Sequence, residues 1–308
     1  MNKPLNGKAY GSIPHLPNSR LGPKDYSVTE GQAMICTKKA RDGDRIIVQE
    51  KLDGSCCSVA RINGSLVPLN RAGWPCISAP WLHHRMFHNW AMENCDRFDW
   101  LREGERVVGE WLALAHGTRY KLWHEPFVPF DIIRWRKKVD QRATFDEFRD
   151  RIIKTRLITP FIVSIGVPIS TEFAVKSAQE RNYHGAIDPV EGVVYRVERL
   201  GRVEFLAKFV IAGKIDGKYF AENYGEEVWN WTPDHKDSIM FQGTIAELLN
   251  RIGKTRNMSE GRRVIVQGAI KVDNKIVDDL TQTFDFKPSN QIQIGNQPPF
   301  FLRDLGDF

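Results

Sequence analysis

Asn63-Gly64 sits between two short strand-like stretches, "SCCSVARI" and "SLVPL". A two-residue Asn-Gly loop closes a hairpin through a type I′ turn, because both residues accept positive φ and the turn's twist matches its strands. The two flanking stretches are therefore an antiparallel pair. A second hairpin is expected over "EGVVYRVERLGRVEFLAKFV" (191–210), turning near Leu200-Gly201. "DRIIVQEK" (44–51), "ERVVGEWLALAHG" (105–117) and "FVPFDIIRW" (127–135) read as further strands. Helices are expected over 80–98, after a capping box at Thr144 and Glu147, and from Ser170 to about Arg181. Residues 1–45, rich in Gly, Pro, Asn and Lys, read as loops with one short helix or strand. Hairpins with helices between them argue for an α+β fold with antiparallel sheets.

The composition changes after "VWNWTPDHKDS", which puts a boundary near 232–238 and divides the chain into 1–235 and 236–308. Beyond it, Thr244 and Glu247 form a capping box for a short helix ending at Gly253, and "RRVIVQGAIKVDNKIVDDL" reads as one or two strands. No apolar stretch approaches the roughly 18–20 residues that span a bilayer, and the N-terminus lacks an apolar signal core, so no membrane association or secretion is expected. Five cysteines, odd in number and irregularly spaced, fit reduced thiols in a cytoplasmic protein. A net charge of +6 suits a polyanionic partner, although a modest basic excess also serves solubility.

Lys-x-Asp-Gly occurs twice, in "QEKLDGS" at 49–55 and in "GKIDGK" at 213–218. That spacing can mark a lysine that becomes covalently attached to a nucleotide, but Asp-Gly is also an ordinary turn. An amine attacking an α-phosphate must lose its proton, so nearby cations are needed to lower its pKa. Such a site also needs carboxylates for a metal, a ring for the base and a group for the ribose. Downstream of Lys51 these appear in order, each in or beside a strand: Arg71, Glu110, Phe130, Glu191 and Lys208. Nothing comparable follows Lys214, which is expected to be a turn residue and a decoy. Singly, each candidate has a plain structural reading. The two carboxylates could be surface ion pairs, Phe130 a core ring and Arg71 a solvated turn residue. Lys208 within "FLAKFV" is harder to dismiss.

Together the series resembles the covalent nucleotidyltransferase superfamily of ATP-dependent DNA ligases, RNA ligases and mRNA capping enzymes. "KLDG" is similar to its motif I, "NRAGW" to motif Ia, "GEW" to motif III, "FVPFDI" to motif IIIa, "EGVV" to motif IV and "AKFV" to motif V. "EKLDGS" lacks the arginine that DNA ligases place two residues after the glycine. That makes it more similar to an RNA ligase, and the whole chain, including "YGSIPHLP" and "GEWLALAHGTRY", resembles small RNA ligase family proteins of bacteria and their phages. The resemblance implies a nucleotidyltransferase (ATP-grasp-like) domain of antiparallel sheets with flanking helices over 1–235, and a small α+β appendage over 236–308. It implies an enzyme that seals RNA 5′-phosphate and 3′-hydroxyl ends through Lys51–AMP, with ATP as AMP donor and Mg²⁺ or Mn²⁺. By the same resemblance Glu110 contacts the ribose, Phe130 stacks on adenine, Glu191 holds the metal and Arg71 binds ribose or phosphate. Lys208 contacts the α-phosphate and helps depress the pKa of Lys51. Glu50 approaches the adenine edge, and Asp53 orients the lysine or a metal-bound water. A cytoplasmic protein of a bacterial cell or a phage-infected host follows.

Motif V often has a second lysine two residues away, where this chain has Leu206 and Val210. Either one lysine suffices, or Lys214 or Lys218 folds back. A DNA ligase on nicked duplex, and an end-binding protein that has lost catalysis, are the rival readings. His84 and His88 have the i, i+4 spacing of a zinc pair but no third ligand nearby, so surface or packing roles are expected. "NRIGKT" lacks the leading glycine of a P-loop.

Overall fold

The computed structural model describes residues 3–136, 139–232, 241–252, 254–286 and 290–301. The expected boundary at 235/236, and Gly253 as an expected helix end, lie outside the described residues. The chain divides into two compact units. One comprises Met1–Lys121, Pro126–Lys154 and Thr159–Trp231, and the other Leu122–Glu125, Thr155–Ile158 and Thr232–Phe308.

The first unit carries, in chain order, α1 (Glu30–Thr37), β1 (Asp44–Lys51), β2 (Ser55–Ile62), β3 (Ser65–Asn70), α2 (Leu82–Glu93), β4 (Glu105–Trp111), β5 (Phe127–Arg136), β6 (Val139–Arg142), α3 (Phe145–Ile152), β7 (Ile162–Gly166), α4 (Thr171–Arg181), β8 (Gly192–Arg199), β9 (Arg202–Val210) and the short α5 (Ala221–Tyr224). Two antiparallel sheets result, in the orders β7-β1-β8-β9 and β3-β2-β4-β5-β6. Both hairpins turn where expected, with φ of 51° and 76° at Asn63 and Gly64 and of 49° and 73° at Leu200 and Gly201. The fold is α+β with antiparallel sheets, as expected.

Three details differ from the sequence reading. The strand expected over 105–117 ends at Trp111. The N-terminal segment holds one short helix among loops as read, but those loops are also pinned to β9, where Lys208 donates its backbone N–H to Pro14 and accepts one from Leu16. The α3 capping box is half made: Thr144 accepts from the Glu147 N–H, but the Glu147 carboxylate turns to Arg134 and Arg151. An ion pair with two guanidiniums outcompetes a neutral backbone donor.

An aromatic cluster of Phe87, Trp90, Phe98, Trp111 and Phe127 seats α2 on β4 and β5, with ring centroids 5.1–6.3 Å apart. The two sheets are joined through Asp131 of β5, which is fully buried. It pairs with Arg196 of β8 at 2.8 Å and with Arg142, and accepts from Tyr10 Oη at 3.3 Å.

The second unit contains β10 (Phe241–Thr244), α6 (Ile245–Arg251), α7 (Met258–Val266), β11 (Ile270–Val272), β12 (Lys275–Ile276), β13 (Thr283–Phe286), β14 (Gln291–Ile294) and β15 (Phe300–Phe301). Its core gathers Ile245, Leu248, Leu249, Ile265, Phe286 and Ile292. Here "RRVIV", expected as strand, is the body of α7. Asn257 caps the helix, and Gly261 lets it approach Ala246 of α6, where an added Cβ would meet atoms at 3.3 Å. Tertiary packing overrides the strand preference of three successive β-branched residues. Among the described residues no helix is long and apolar enough to cross a membrane.

Candidate active site

Strand register explains why the candidate residues meet. In the first sheet Lys51 ends β1 opposite Gly192, so Glu191 arrives beside it from the start of β8. Val194 pairs with Gln49 on one side and Lys208 on the other. Side chains alternate along a strand, so Gln49, Lys51, Val194 and Lys208 share one face. Gly192 is obligatory, because a Cβ there would lie 1.9 Å from the Phe209 carbonyl oxygen, at a φ of 155°. In the second sheet Cys56 pairs with Glu110, while β4 and β5 slip register between Val108 and Gly109. Val108 faces Asp131 and Gly109 faces Pro129, which leaves Phe130 as the extra residue of a bulge. Bulges re-aim a side chain, and proline is tolerated there because the ladder is already broken.

The two faces enclose a cavity of about 840 Å³ whose wall includes Glu50, Lys51, Asp53, Arg71, Glu110, Phe130, Glu191 and Lys208. The structure thus brings together every residue expected at the site. Lys51 Nζ donates to Glu191 Oε2 at 2.7 Å. The Gly54 N–H donates to Glu110 Oε1 at 3.1 Å. Phe130 stands edge-on to Tyr10, with centroids 5.3 Å apart. Arg71 reaches Ser12 Oγ at 3.1 Å from an exposed position. Lys208 lies 3.8 Å from Asp25 Oδ1.

The electrostatics correct one expectation. Burial pulls the Lys51 pKa down, but the adjacent Glu191 and Glu110 carboxylates outweigh it and hold the ammonium above its ordinary range. It is Lys208 whose pKa is lowered, first by burial and then by the charge of Lys51. The reason is distance, since an ion pair at 2.7 Å dominates any more remote cation. Glu110 is pushed up to about 8 by burial, and the charge of Glu191 adds to the shift. Burial likewise raises Glu191, with Lys51 opposing. Glu50 is buried, has no partner for Oε2 and is pushed up to about 8 by desolvation alone. A protonated Glu50 can therefore donate as well as accept a hydrogen bond at neutral pH.

Lys214 is not the turn residue expected. It is 6% exposed, and its Nζ lies 2.6 Å from Asp53 Oδ2 and donates to Thr118 Oγ1. The same Asp53 oxygen accepts the Gly117 N–H at 2.7 Å, and the Asp53 N–H meets Tyr120 Oη at 3.1 Å. Gly117 has no room for a Cβ, which would sit 2.4 Å from the Ile215 carbonyl and 2.9 Å from Lys214 Cε. Lys218 goes elsewhere, 3.5 Å from Asp188 Oδ1. Sequence reasoning also missed His116, whose Nε2 is 3.1 Å from Ser55 Oγ, and His83. The run "HGTRY" after motif III was the available signal for His116, Gly117, Thr118 and Tyr120.

Among the described residues no group of three or more His, Cys, Asp or Glu could hold a metal by itself. Glu191 and Glu110 nevertheless fit a divalent cation completed by substrate oxygens. Mg²⁺ is commonly held by one or two carboxylates plus phosphates and water. Burial raises the pKa of both carboxyls, and a cation bound there would favour their charged forms.

The profile of the RNA ligase family matches residues 44–210, which spans β1 to β9 and every candidate above. The chain belongs to the RNA ligase family. No curated protein matches it. Among solved structures it is similar to an archaeal ATP-dependent RNA ligase, at 18% identity and a TM-score of 0.38, covering 54% of this chain and 42% of that one. It is also similar to a mutant of the Naegleria gruberi RNA ligase with AMP and Mn, at 18% identity and a TM-score of 0.39, covering 55% and 50%. An apo mutant of the Naegleria ligase matches at 17% identity and a TM-score of 0.42, covering 68% and 60%. This family member thus covers less than two thirds of the length of each of these structures.

Proposed function

We propose that this chain is an ATP-dependent RNA ligase that joins 5′-phosphate and 3′-hydroxyl ends through a covalent AMP on Lys51. The observation that carries the reading is the Lys51–Glu191 contact inside the cavity, flanked by Glu110, Lys208 and Phe130. Lys51 Nζ, once deprotonated, attacks the α-phosphorus of ATP; the N–P bond forms as the bond to the β-phosphate oxygen breaks and pyrophosphate leaves. An oxygen of the RNA 5′-phosphate then displaces Lys51 and takes the AMP. The 3′-hydroxyl attacks that 5′-phosphorus, loses its proton, and AMP departs.

The protein's own groups set these steps. Glu191 holds the Lys51 ammonium protonated at rest, so the amine is released for attack when that carboxylate is engaged elsewhere. Glu191, with Glu110 near it, would hold a divalent cation. Mg²⁺ or Mn²⁺ bound there would draw off carboxylate charge and offset that of the phosphates. Lys208 faces the same space and suits the α-phosphate, Glu110 the ribose and Phe130 the adenine face. Glu50, protonated and lacking a partner, suits the adenine edge, and Arg71 at the mouth suits ribose or phosphate. Asp53 is anchored by Lys214 and the Gly117 N–H, and fixes the loop that follows Lys51. In this reading 1–235 performs the adenylyl transfer and 236–308 is an appendage to it.

The test is label transfer from α-labelled ATP to the protein with divalent metal. Wild type should take label and Lys51→Ala none, and the labelled enzyme should then seal RNA ends in preference to DNA ends. Label retained by Lys51→Ala would sink the assignment, and preference for nicked DNA would favour the DNA ligase.

A further inference from the structure

Helix α2 starts without a cap. Trp81 holds the N-cap position with extended backbone but makes no side-chain cap hydrogen bond, and no acidic residue stands in the first turn. Ser, Thr, Asp or Asn there would satisfy one of the free N–H groups, and an indole cannot. Nor is the Trp81 ring buried in the core. It is 58% exposed, lines the cavity wall with His83 and His84, and stands edge-on to His84 at 5.7 Å. Free N–H groups at the positive end of a helix dipole favour an anion.

A second observation points to a ligand independently of the helix. His83 is only 8% exposed and lines the same cavity, yet its ring nitrogens have no hydrogen-bond partner among the described residues. Beside it the buried His84 Nδ1 also lacks a partner, which is unfavourable unless a ligand supplies one. Desolvation, reinforced by neighbouring imidazoles, pushes His83 down to about 3 and His84 to about 4, so both rings are neutral and each offers one N–H. His116 stands 6.1 Å from His83 and is already paired with Ser55. The cavity, about 840 Å³, is near the upper end for a single-ligand pocket, which leaves room beside a mononucleotide at Lys51.

We propose, on the RNA-joining reading above, that this end of the cavity receives the 5′-terminal nucleotide of an RNA strand, with its phosphate at the N-terminus of α2 and His83 and its base against Trp81. An exposed aromatic beside a phosphate site suits a nucleotide, because every base has a face to stack, whereas pyrophosphate has none. Phe87 and Trp90 fix the body of α2 against β4 and β5, so its first turn is a rigid platform.

The experiment measures binding of a short 3′-fluorescent RNA, with a 5′-phosphate or a 5′-hydroxyl, to the full chain, alongside label transfer from ATP. Wild type should prefer the 5′-phosphate. Trp81→Ala should weaken binding about tenfold, within the range for losing one base–aromatic stack, and Trp81→Phe should restore most of it. Trp81→Asp caps the helix itself and places a carboxylate at the anion site. Its Tm should therefore hold or rise while the preference for 5′-phosphate disappears, which a purely structural tryptophan would not give. All three should keep Lys51 labelling within about twofold. A labelled wild type whose Trp81→Ala and Trp81→Asp variants bind RNA unchanged overturns this site alone. So does labelling that falls in step with RNA binding while inorganic pyrophosphate displaces the RNA, since the site then belongs to the leaving group. A wild type that takes no label overturns the ligase reading and the RNA occupant with it.

Discussion

Glu50 shows how one buried side chain links the chemistry of the site to stability. Its folded pKa, pushed up to about 8, lies above the ordinary carboxylate value, so the folded state keeps a proton that the unfolded state releases. Stability therefore falls as pH rises from the ordinary carboxylate range through about 8. Glu50→Gln keeps the shape and removes the ionisation. Its Tm should exceed wild type by several degrees at alkaline pH and by little at acid pH, as thermal scans across that window would show. Equal Tm differences at both ends would contradict a neutral Glu50. Lys214 makes the opposite case, a charge whose removal leaves its partner stranded. Lys214→Met leaves Asp53 buried without its cation, a loss on the order of 3–5 kcal/mol for a buried pair. The Lys51 label should then appear about tenfold more slowly and Tm should fall, whereas a solvated turn lysine would change neither.

At the scale of elements, the β8–β9 hairpin contains a correctable fault. Leu200 holds a φ of 49° at the first turn position and is 81% exposed, so it carries left-handed strain with no packing in return. Leu200→Asn, which gives this turn the Asn-Gly pair of the β2–β3 hairpin, should stabilise by about 1 kcal/mol. Urea titration would detect it as a higher midpoint at unchanged slope. Element positions were largely legible where local chemistry fixes them, as at these two turns, the Thr144 and Ser170 N-caps and the run ending at Lys51. They were illegible where packing decides. The "RRVIV" run of α7 reads as strand, and the Asn257 cap together with packing of Gly261 against Ala246 and of Ile265 in the core accompanies a helix there instead.

For the molecule as a whole, the cavity exists because two sheets are held face to face, and Asp131 is the charged group through which they are joined. Its partners come from β8, β6 and the N-terminal segment, far apart in sequence. Asp131→Ala strands the buried Arg196 and should destabilise the chain by about 3–5 kcal/mol. Replacing both Asp131 and Arg196 with apolar residues of similar volume should recover much of that, read from unfolding midpoints. A double variant as unstable as the single would show that the pair is not the joint.

The order of Lys51, Arg71, Glu110, Phe130, Glu191 and Lys208 along the chain was enough to suggest one site, because each motif brings its residue to a strand or a strand end. Period-2 alternation then put the members of each strand on a definite face. What that order could not contain is register between strands distant in sequence. The pairing of Lys51 with Gly192 sets the 2.7 Å contact to Glu191, and that contact turns an expected lowering of the Lys51 pKa into a rise. Nor could it show that Lys214, one copy of a repeated tetrapeptide, is buried on the Asp of the other. Local turn and cap chemistry acts over a few residues and is written in the sequence. Charge pairing and desolvation depend on which strands become neighbours, and only the folded chain decides that.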